Sequence, residues 1–307
     1  MLNILIFKIT GLAIIMAAGF FLVRFGPLTR EDTKSLSRLT CYLVMPCNIF
    51  CAFQVSRTPE TLRGLSLVLV GAVLVHCLFL LTTKLLQKPL GLSPTEQASV
   101  FCTNAGNLIV PLVTAMLGRE WVIYCCAYML VQNILLWSHV KNLVCGETGI
   151  AWKSLLTNPN IMALMAGSLL FLLGISLPPL LEDTIYSVGS MVGPIAMLVI
   201  GMTIGSLELK SVFCRARVWM AAGLRLLLYP ALALGLLKLL CLVFPMGGPY
   251  FLVTMLAASA PSAAIITHIC QLHGKNPQAS SAICTVTTTF CVLTIPLMIW
   301  LYELICL

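Results

Sequence analysis

The sequence predicts an all-α polytopic membrane protein of ten transmembrane helices. It predicts a five-plus-five inverted repeat in which helices 4 and 9 are broken and crossed. Three observations lead there. The 307 residues are 60% hydrophobic and only 9% charged, with a mean hydropathy of +1.02, whereas soluble chains are about half apolar and about a quarter charged. The apolar residues run in continuous stretches of membrane-spanning length, roughly 20 residues each. The prolines repeat at half the chain length: Pro46 and Pro194 are 148 residues apart, and Pro111 and Pro261 are 150 apart.

The same composition excludes several classes. A soluble enzyme and an intrinsically disordered chain both need far more charge. A transmembrane β-barrel alternates apolar and polar residues along each strand, and this chain does not. A net charge of +8 suggests nucleic acid in a soluble protein. Here the basic residues sit in short loops, the pattern that sets membrane orientation, so no nucleic-acid partner is expected. The 14 cysteines are scattered without a paired CxxC spacing. Cys47, Cys51, Cys77, Cys102, Cys125, Cys126, Cys241, Cys284 and Cys291 fall in apolar spans, where free cysteine packs as a small hydrophobe. No metal site and no cofactor are expected.

The ten spans run approximately over 3–25, 38–56, 63–86, 97–118, 121–140, 159–178, 184–207, 217–243, 249–273 and 279–303. The first begins at Leu2 without the polar start or small-residue cleavage site of a signal peptide and reads as a retained helix. Spans consume both ends, leaving no length for a soluble catalytic domain. Charge, proline and glycine mark the connections, as in Gly26-Pro27-Leu28-Thr29-Arg30-Glu31-Asp32, Thr157-Asn158-Pro159 and Pro245-Met246-Gly247-Gly248-Pro249. The loops after odd-numbered spans carry Arg24, Arg30, Lys34, Arg38, Lys84, Lys88, Lys141, Lys153, Lys210, Arg215, Arg217 and Lys275. The other side has Lys8, Arg57, Arg63, Arg119 and Lys238. Twelve against five places both termini outside the cytoplasm. The expected location is the cell membrane, multi-pass, with the lipid bilayer as a partner. Residues 1–150 form the first five-helix repeat and 151–307 the second. An odd number of helices per repeat inverts the second copy.

Chemistry concentrates in two spans. Helix 4 reads Phe101-Cys102-Thr103-Asn104-Ala105-Gly106-Asn107-Leu108-Ile109-Val110-Pro111, and helix 9 reads Ala257-Ala258-Ser259-Ala260-Pro261-Ser262-Ala263-Ala264. Proline removes a helical hydrogen bond and clashes with the preceding turn. Irregular backbone at membrane depth is tolerated inside protein or beside a water-filled cavity. Breaks at the same place in both halves therefore point to a crossover binding site rather than two simple kinks. Half-helix N-termini there favour anionic groups. Asn104 and Asn107 add amides that serve a ligand or cap the open backbone.

The acids are Glu31, Asp32, Glu60, Glu96, Glu120, Glu147, Glu182, Asp183, Glu208 and Glu303, all in loops or at helix ends. Cation antiport normally uses carboxylates in the membrane core, so a small organic anion is the better substrate. Arg225 lies within helix 8 and either faces the site or snorkels to the cytoplasmic face. His268 follows the helix 9 break, while His76 and His139 read as packing residues. Asn48, Gln132 and Asn133 either line a cavity or bond neighbouring helices. Thr285, Thr287, Thr288 and Thr289 are expected to bond their own backbone carbonyls. The candidate substrate-binding set is Asn104, Asn107, Pro111, Asn133, Arg225, Ser259, Pro261, Ser262 and His268. No enzyme motif is present, and no catalytic residue is expected.

Four segments carry a family resemblance: Asn104-Ala105-Gly106-Asn107-Leu108-Ile109-Val110-Pro111; Ala260-Pro261-Ser262-Ala263 with Gly274-Lys275-Asn276-Pro277-Gln278-Ala279-Ser280; Thr289 through Thr294-Ile295-Pro296-Leu297; and Tyr42-Leu43-Val44-Met45-Pro46. With them the chain resembles, over its whole length, the auxin efflux carrier family of prokaryotes, relatives of the plant PIN-type auxin exporters. The resemblance implies that helices 1, 2, 6 and 7 form a scaffold and helices 3–5 and 8–10 a moving transport unit. It implies a carrier for organic anions such as malate, malonate or an auxin-like acid, and it makes Asn107, Pro111 and Pro261 the crossover residues. The chain departs from plant members in its short segment 141–158 and in lacking a mid-membrane carboxylate. The expected function is secondary transport of a small organic anion by alternating access, with room for a homodimer. The alternatives are a sodium-coupled symporter of bile-acid-transporter type and a transporter-like receptor or sensor.

Overall fold

The computed structural model describes residues 2–149, 152–206 and 212–307, with side chains from Phe7 onward; Glu208 and Lys210 lie outside the described residues. Among the described residues every regular element is helical. The helices are α1 (Leu2–Arg24), α2 (Arg30–Leu39), α3 (Met45–Ala52), α4 (Pro59–Leu86), α5 (Pro94–Phe101), α6 (Val110–Met116), α7 (Val122–Leu135), α8 (Lys141–Cys145), α9 (Trp152–Leu156), α10 (Pro159–Leu173), α11 (Pro179–Gly189), α12 (Val192–Gly205), α13 (Ala216–Gly223), α14 (Tyr229–Val243), α15 (Gly248–Ala258), α16 (Ile265–Leu272) and α17 (Pro277–Cys306). Among the described residues six stretches are long and apolar enough to cross a membrane: Phe7–Arg24, Pro59–Leu86, Arg119–Cys145, Pro179–Gly205, Ala216–Val243 and Pro277–Cys306. Ala105–Met116 and Pro159–Leu173 are shorter apolar helices. The span expected over 184–207 starts earlier, at Pro179, and is interrupted at Ser190–Met191.

Local chemistry sets the helix starts. Thr29 and Ser93 form capping boxes with Asp32 and Glu96, and Asn158 and Asn276 cap α10 and α17 with their side-chain oxygens. These oxygens satisfy backbone N–H groups that the first helical turn leaves open. Prolines open α4, α10, α11 and α17, where their missing N–H costs nothing.

Prolines further inside the spans have a different effect. Wide π turns occupy Thr40–Val44, Ala105–Ile109 and Leu224–Leu228. Each ends two residues before a proline: Pro46, Pro111 and Pro230. Proline collides with the carbonyl four residues back and donates nothing to it, and widening the turn is one way the chain relieves this. A fourth π turn, Leu136–Val140, joins α7 to α8.

The chain divides into two compact units. The first comprises Met1–Ser66, Gly106–Leu130 and Lys153–Leu207. Its tightest packing is α1 against α12. A Cβ on Gly19, Gly201 or Gly205 would strike the backbone carbonyls of Leu198, Met16 or Phe20 respectively. Small residues allow this backbone approach, which drives helix association where lipid removes the hydrophobic incentive. In the same unit α3 lies against α10 and α11. Gly189 admits the backbone of Asn48, and the Asn48 amide donates to Gly189 O at 3.1 Å. Asn48 thus bonds a neighbouring helix.

The second unit comprises Leu67–Ala105, Val131–Trp152 and Glu208–Leu307. Thr83 Oγ1 meets the Tyr229 hydroxyl at 2.7 Å, and Tyr302 donates to Gly248 O at 2.7 Å. These bonds tie α4 to α14 and α17 to α15. Arg217 grips the start of α5, donating to Glu96 at 2.9 and 2.6 Å and to the carbonyls of Leu90 and Gly91. Burial raises the Glu96 carboxyl pKa, but the hydrogen bonds from Arg217 and Ser93 outweigh it and hold the group below its ordinary value.

The scattered cysteines divide by burial. Cys51, Cys102, Cys125, Cys126 and Cys291 are buried as packing residues, whereas Cys77 is exposed on α4 and Cys47, Cys241 and Cys284 are half-buried.

Candidate functional site

Within the second unit the chain loses helical form twice, at Cys102–Asn104 after α5 and at Ser259–Ala264 after α15. The two breaks meet. Asn104 N–H donates to Pro261 O at 2.8 Å and Ala263 N–H donates to Cys102 O at 3.0 Å. Thr103 and Ser262 between them form an isolated antiparallel bridge. Buried backbone polar groups need partners, and the groups released by the two breaks find them in each other first.

Side chains complete the set. Gln132 clamps Thr103: its oxygen accepts the Thr103 N–H at 3.1 Å and hydroxyl at 2.5 Å, and its amide donates to Thr103 O at 2.8 Å. Thr287 accepts the Ser262 N–H at 3.1 Å while its own hydroxyl donates back to Ile283 O. The back-bonding expected of Thr287 is present, and the residue also supports the break. Thr289 bonds Thr285 O at 2.9 Å, as expected. The Cys284 thiol donates to Ser262 O at 3.4 Å.

Arg225 serves both breaks. Its guanidinium donates to Ala260 O at 2.9 Å, to Val100 O at 3.1 Å and to Ala258 O. The side chain is fully buried and is flanked by the rings of Phe79 and Tyr229, 5.3 and 5.9 Å from the ring centres. It therefore does not snorkel to water. The π turn that carries it displaces it from a regular helical position. It is a cationic cap on the C-terminal ends of α5 and α15. Each such end carries about half a negative charge, so one guanidinium offsets two ends.

The other expected residues are distributed as follows. Asn104, Ser259, Pro261 and Ser262 lie in or beside the two breaks and are buried. Among the described residues the Ser259 and Ser262 hydroxyls have no hydrogen-bond partner and are buried. Among the described residues no hydrogen bond engages the side chains of Asn104 or Asn107. Asn107 belongs to the first unit and is half-buried. Asn133 is half-buried on α7, next to Gln132, and His268 is exposed on α16.

Pro111 lines a separate cavity of about 250 Å³ inside the first unit, with Asn48, Thr114, Arg119, Tyr186 and Pro194. Arg119 there is paired with Glu182 at 2.6 Å and lies 4.3 Å over the Tyr186 ring. Pro111 and Pro194, which belong to different half-chain proline pairs, thus face one cavity. Gln132 and Thr287 are the residues whose part sequence reasoning understated. Their polarity was visible, but their partners are backbone groups.

The membrane transport protein family matches residues 4–149 and 144–299. An uncharacterized transporter of Methanothermobacter thermautotrophicus is 25% identical over 308 residues, covering 94% of this chain and 95% of its own length. The chain belongs to this membrane transport family, the auxin efflux carrier type, and is a multi-pass membrane protein.

Proposed function

We propose that the protein is a secondary carrier for a small organic anion and works by alternating access. The observation that carries this reading is Arg225 on the carbonyls of both breaks. It offsets the negative half-helix ends, while the N-terminal end of α16 keeps its partial positive charge. Among the described residues the acids lie in loops or near helix ends and none lies in either break, and the buried carboxylate Glu96 is committed to Arg217. The local field therefore favours a carboxylate over a cation. The unengaged Ser259 and Ser262 hydroxyls and the Asn104 amide are the donors available to it, with Asn107 and the remaining expected residues as candidates for the path.

The finer architecture belongs to the same proposal. Ten spans result when the two broken helices, α2 with α3, and the shorter apolar helices each count as part of a crossing. The proline pairs at half-chain offset support the inverted repeat. The unit that holds the crossover is the moving part, and both termini face away from the cytoplasm. Terminal reporter fusions test the orientation; a cytoplasmic C-terminus contradicts it.

Counterflow of labelled mono- and dicarboxylates in proteoliposomes tests the function. The proposal expects saturable exchange of at least one organic anion. Ligand-induced thermal stabilisation without any flux favours a receptor instead.

A further inference from the structure

At one end of the second unit, away from the breaks, three electron-donor side chains converge. Cys145 ends α8, Glu147 lies two residues beyond, and His273 follows α16. Their Sγ, carboxylate and imidazole atoms all lie within 4.8 Å of one another. Gly146, in a left-handed conformation at φ 74°, caps α8 and turns the chain between Cys145 and Glu147. Gly274, at φ 62°, turns it directly after His273.

The hydrogen bonds around the cluster leave its inner atoms as acceptors. His273 Nδ1 sits 3.0 Å from Ile269 O, and a carbonyl can only accept, so the neutral ring carries its proton on Nδ1. Nε2 then presents a lone pair towards Glu147 Oε1, 3.9 Å away. The other oxygen, Oε2, is occupied by the Lys141 ammonium at 2.5 Å. A thiol sulfur, a neutral imidazole nitrogen and a carboxylate oxygen are therefore gathered within 4.8 Å of one another. Bonds of about 2.0–2.3 Å to a tetrahedral ion place ligand atoms on the order of 3.5 Å apart; Nε2 and Oε1 are 3.9 Å apart and every pair is within 4.8 Å, so small side-chain rotations close the set. The backbone bond on Nδ1 is the outer contact that metal-ligating histidines generally make, and it fixes the ligating tautomer.

We propose that Cys145, Glu147 and His273 form a binding site for a thiophilic divalent metal ion, Zn2+ by ligand type, with a water in the fourth position. Sulfur, imidazole and carboxylate together suit Zn2+ rather than Mg2+ or Ca2+, which take oxygen ligands. Binding converts the Cys145 thiol to a thiolate and releases its proton to solvent. The ion ties the end of α8 to the turn between α16 and α17. The site does not depend on the transport reading.

Co2+ titration of the purified full-length protein tests it, because a cobalt–thiolate bond gives a near-ultraviolet charge-transfer band. The expected result is a band that saturates at one ion per chain and is displaced by Zn2+. Cys145→Ser removes that band. His273→Gln and Glu147→Gln each weaken binding about tenfold or more, at least the loss that outer contacts produce. Zn2+ raises the melting temperature of the wild type and not that of His273→Gln, whose metal-free melting is unchanged. A missing band, a band that survives Cys145→Ser, or an equal Zn2+ shift in wild type and His273→Gln overturns the proposal. Should Cys145→Ser not fold, the two other variants decide the question.

Discussion

Replacing Arg225 by methionine removes one charge and three hydrogen bonds while keeping most of the side-chain volume. The carbonyls of Val100, Ala258 and Ala260 then lose their donor in a fully buried setting. An unsatisfied buried polar group costs about 1–3 kcal/mol. Three at once, with some relaxation, cost about 3–6 kcal/mol, a large share of the roughly 5–15 kcal/mol of a typical fold. Arg225→Lys keeps the charge but replaces a planar fork by one compact head, so about half of that loss is expected. The assay is thermal unfolding of purified protein followed by size-exclusion retention, with proteoliposome flux alongside. The predicted order of stability is wild type, then Lys, then Met, with flux falling in the same order. An Arg225→Met protein that melts and transports like wild type refutes the capping argument. A protein of unchanged stability whose substrate KM alone rises identifies Arg225 instead as a substrate contact.

Gln132→Leu should cost about 2–4 kcal/mol, since it strands the Thr103 N–H and C=O together, and unfolding midpoints against wild type measure it. Asn107→Ala should abolish or strongly reduce flux with the melting temperature near wild type, because no hydrogen bond among the described residues holds its amide; normal flux would take Asn107 out of the site. Gly201→Val should prevent α1 from seating on α12, because its Cβ meets the Met16 carbonyl, and should appear as lost monodisperse protein. Glu96 has a carboxyl pKa held below its unfolded value. Its stabilisation is therefore full above the unfolded carboxylate range and fades as pH falls through the lower folded value. Glu96→Gln should remove that component of the acid-side loss of stability; an unchanged acid limb would contradict it.

Much of the fold was legible because membrane insertion constrains sequence severely. Uninterrupted apolar runs cannot be hidden, and prolines that interrupt them need a structural answer. Pro111 and Pro261 marked the neighbourhoods of both breaks. The π turns before Pro46, Pro111 and Pro230 follow from the same steric conflict and could have been anticipated from it. What stayed hidden was the destination of each polar side chain. Arg225 was conspicuous, but its partners are the carbonyls of Val100, Ala258 and Ala260, which every residue possesses and no sequence distinguishes. Gln132 and Thr287 escaped for the same reason. The Cys145, Glu147 and His273 cluster was hidden differently. Cys145 and Glu147 are near neighbours, but His273 lies far along the chain, so no spacing motif announces the cluster; only folding brings α8 and α16 together. The interruption at Ser190–Met191 has the same origin as the π turns, since Pro194 opposes the carbonyl of Ser190 four residues back.

The central claim is that the crossover carries an anion without an intramembrane carboxylate to neutralise a cation. Charge movement on a solid-supported membrane tests it most directly, with proteoliposomes exposed to candidate organic anions at fixed sodium and pH. Uncoupled transport by this site moves net negative charge with the substrate, and the current is unaffected when sodium is replaced by choline. Net positive charge that requires sodium would contradict the account and make the protein a sodium-coupled symporter.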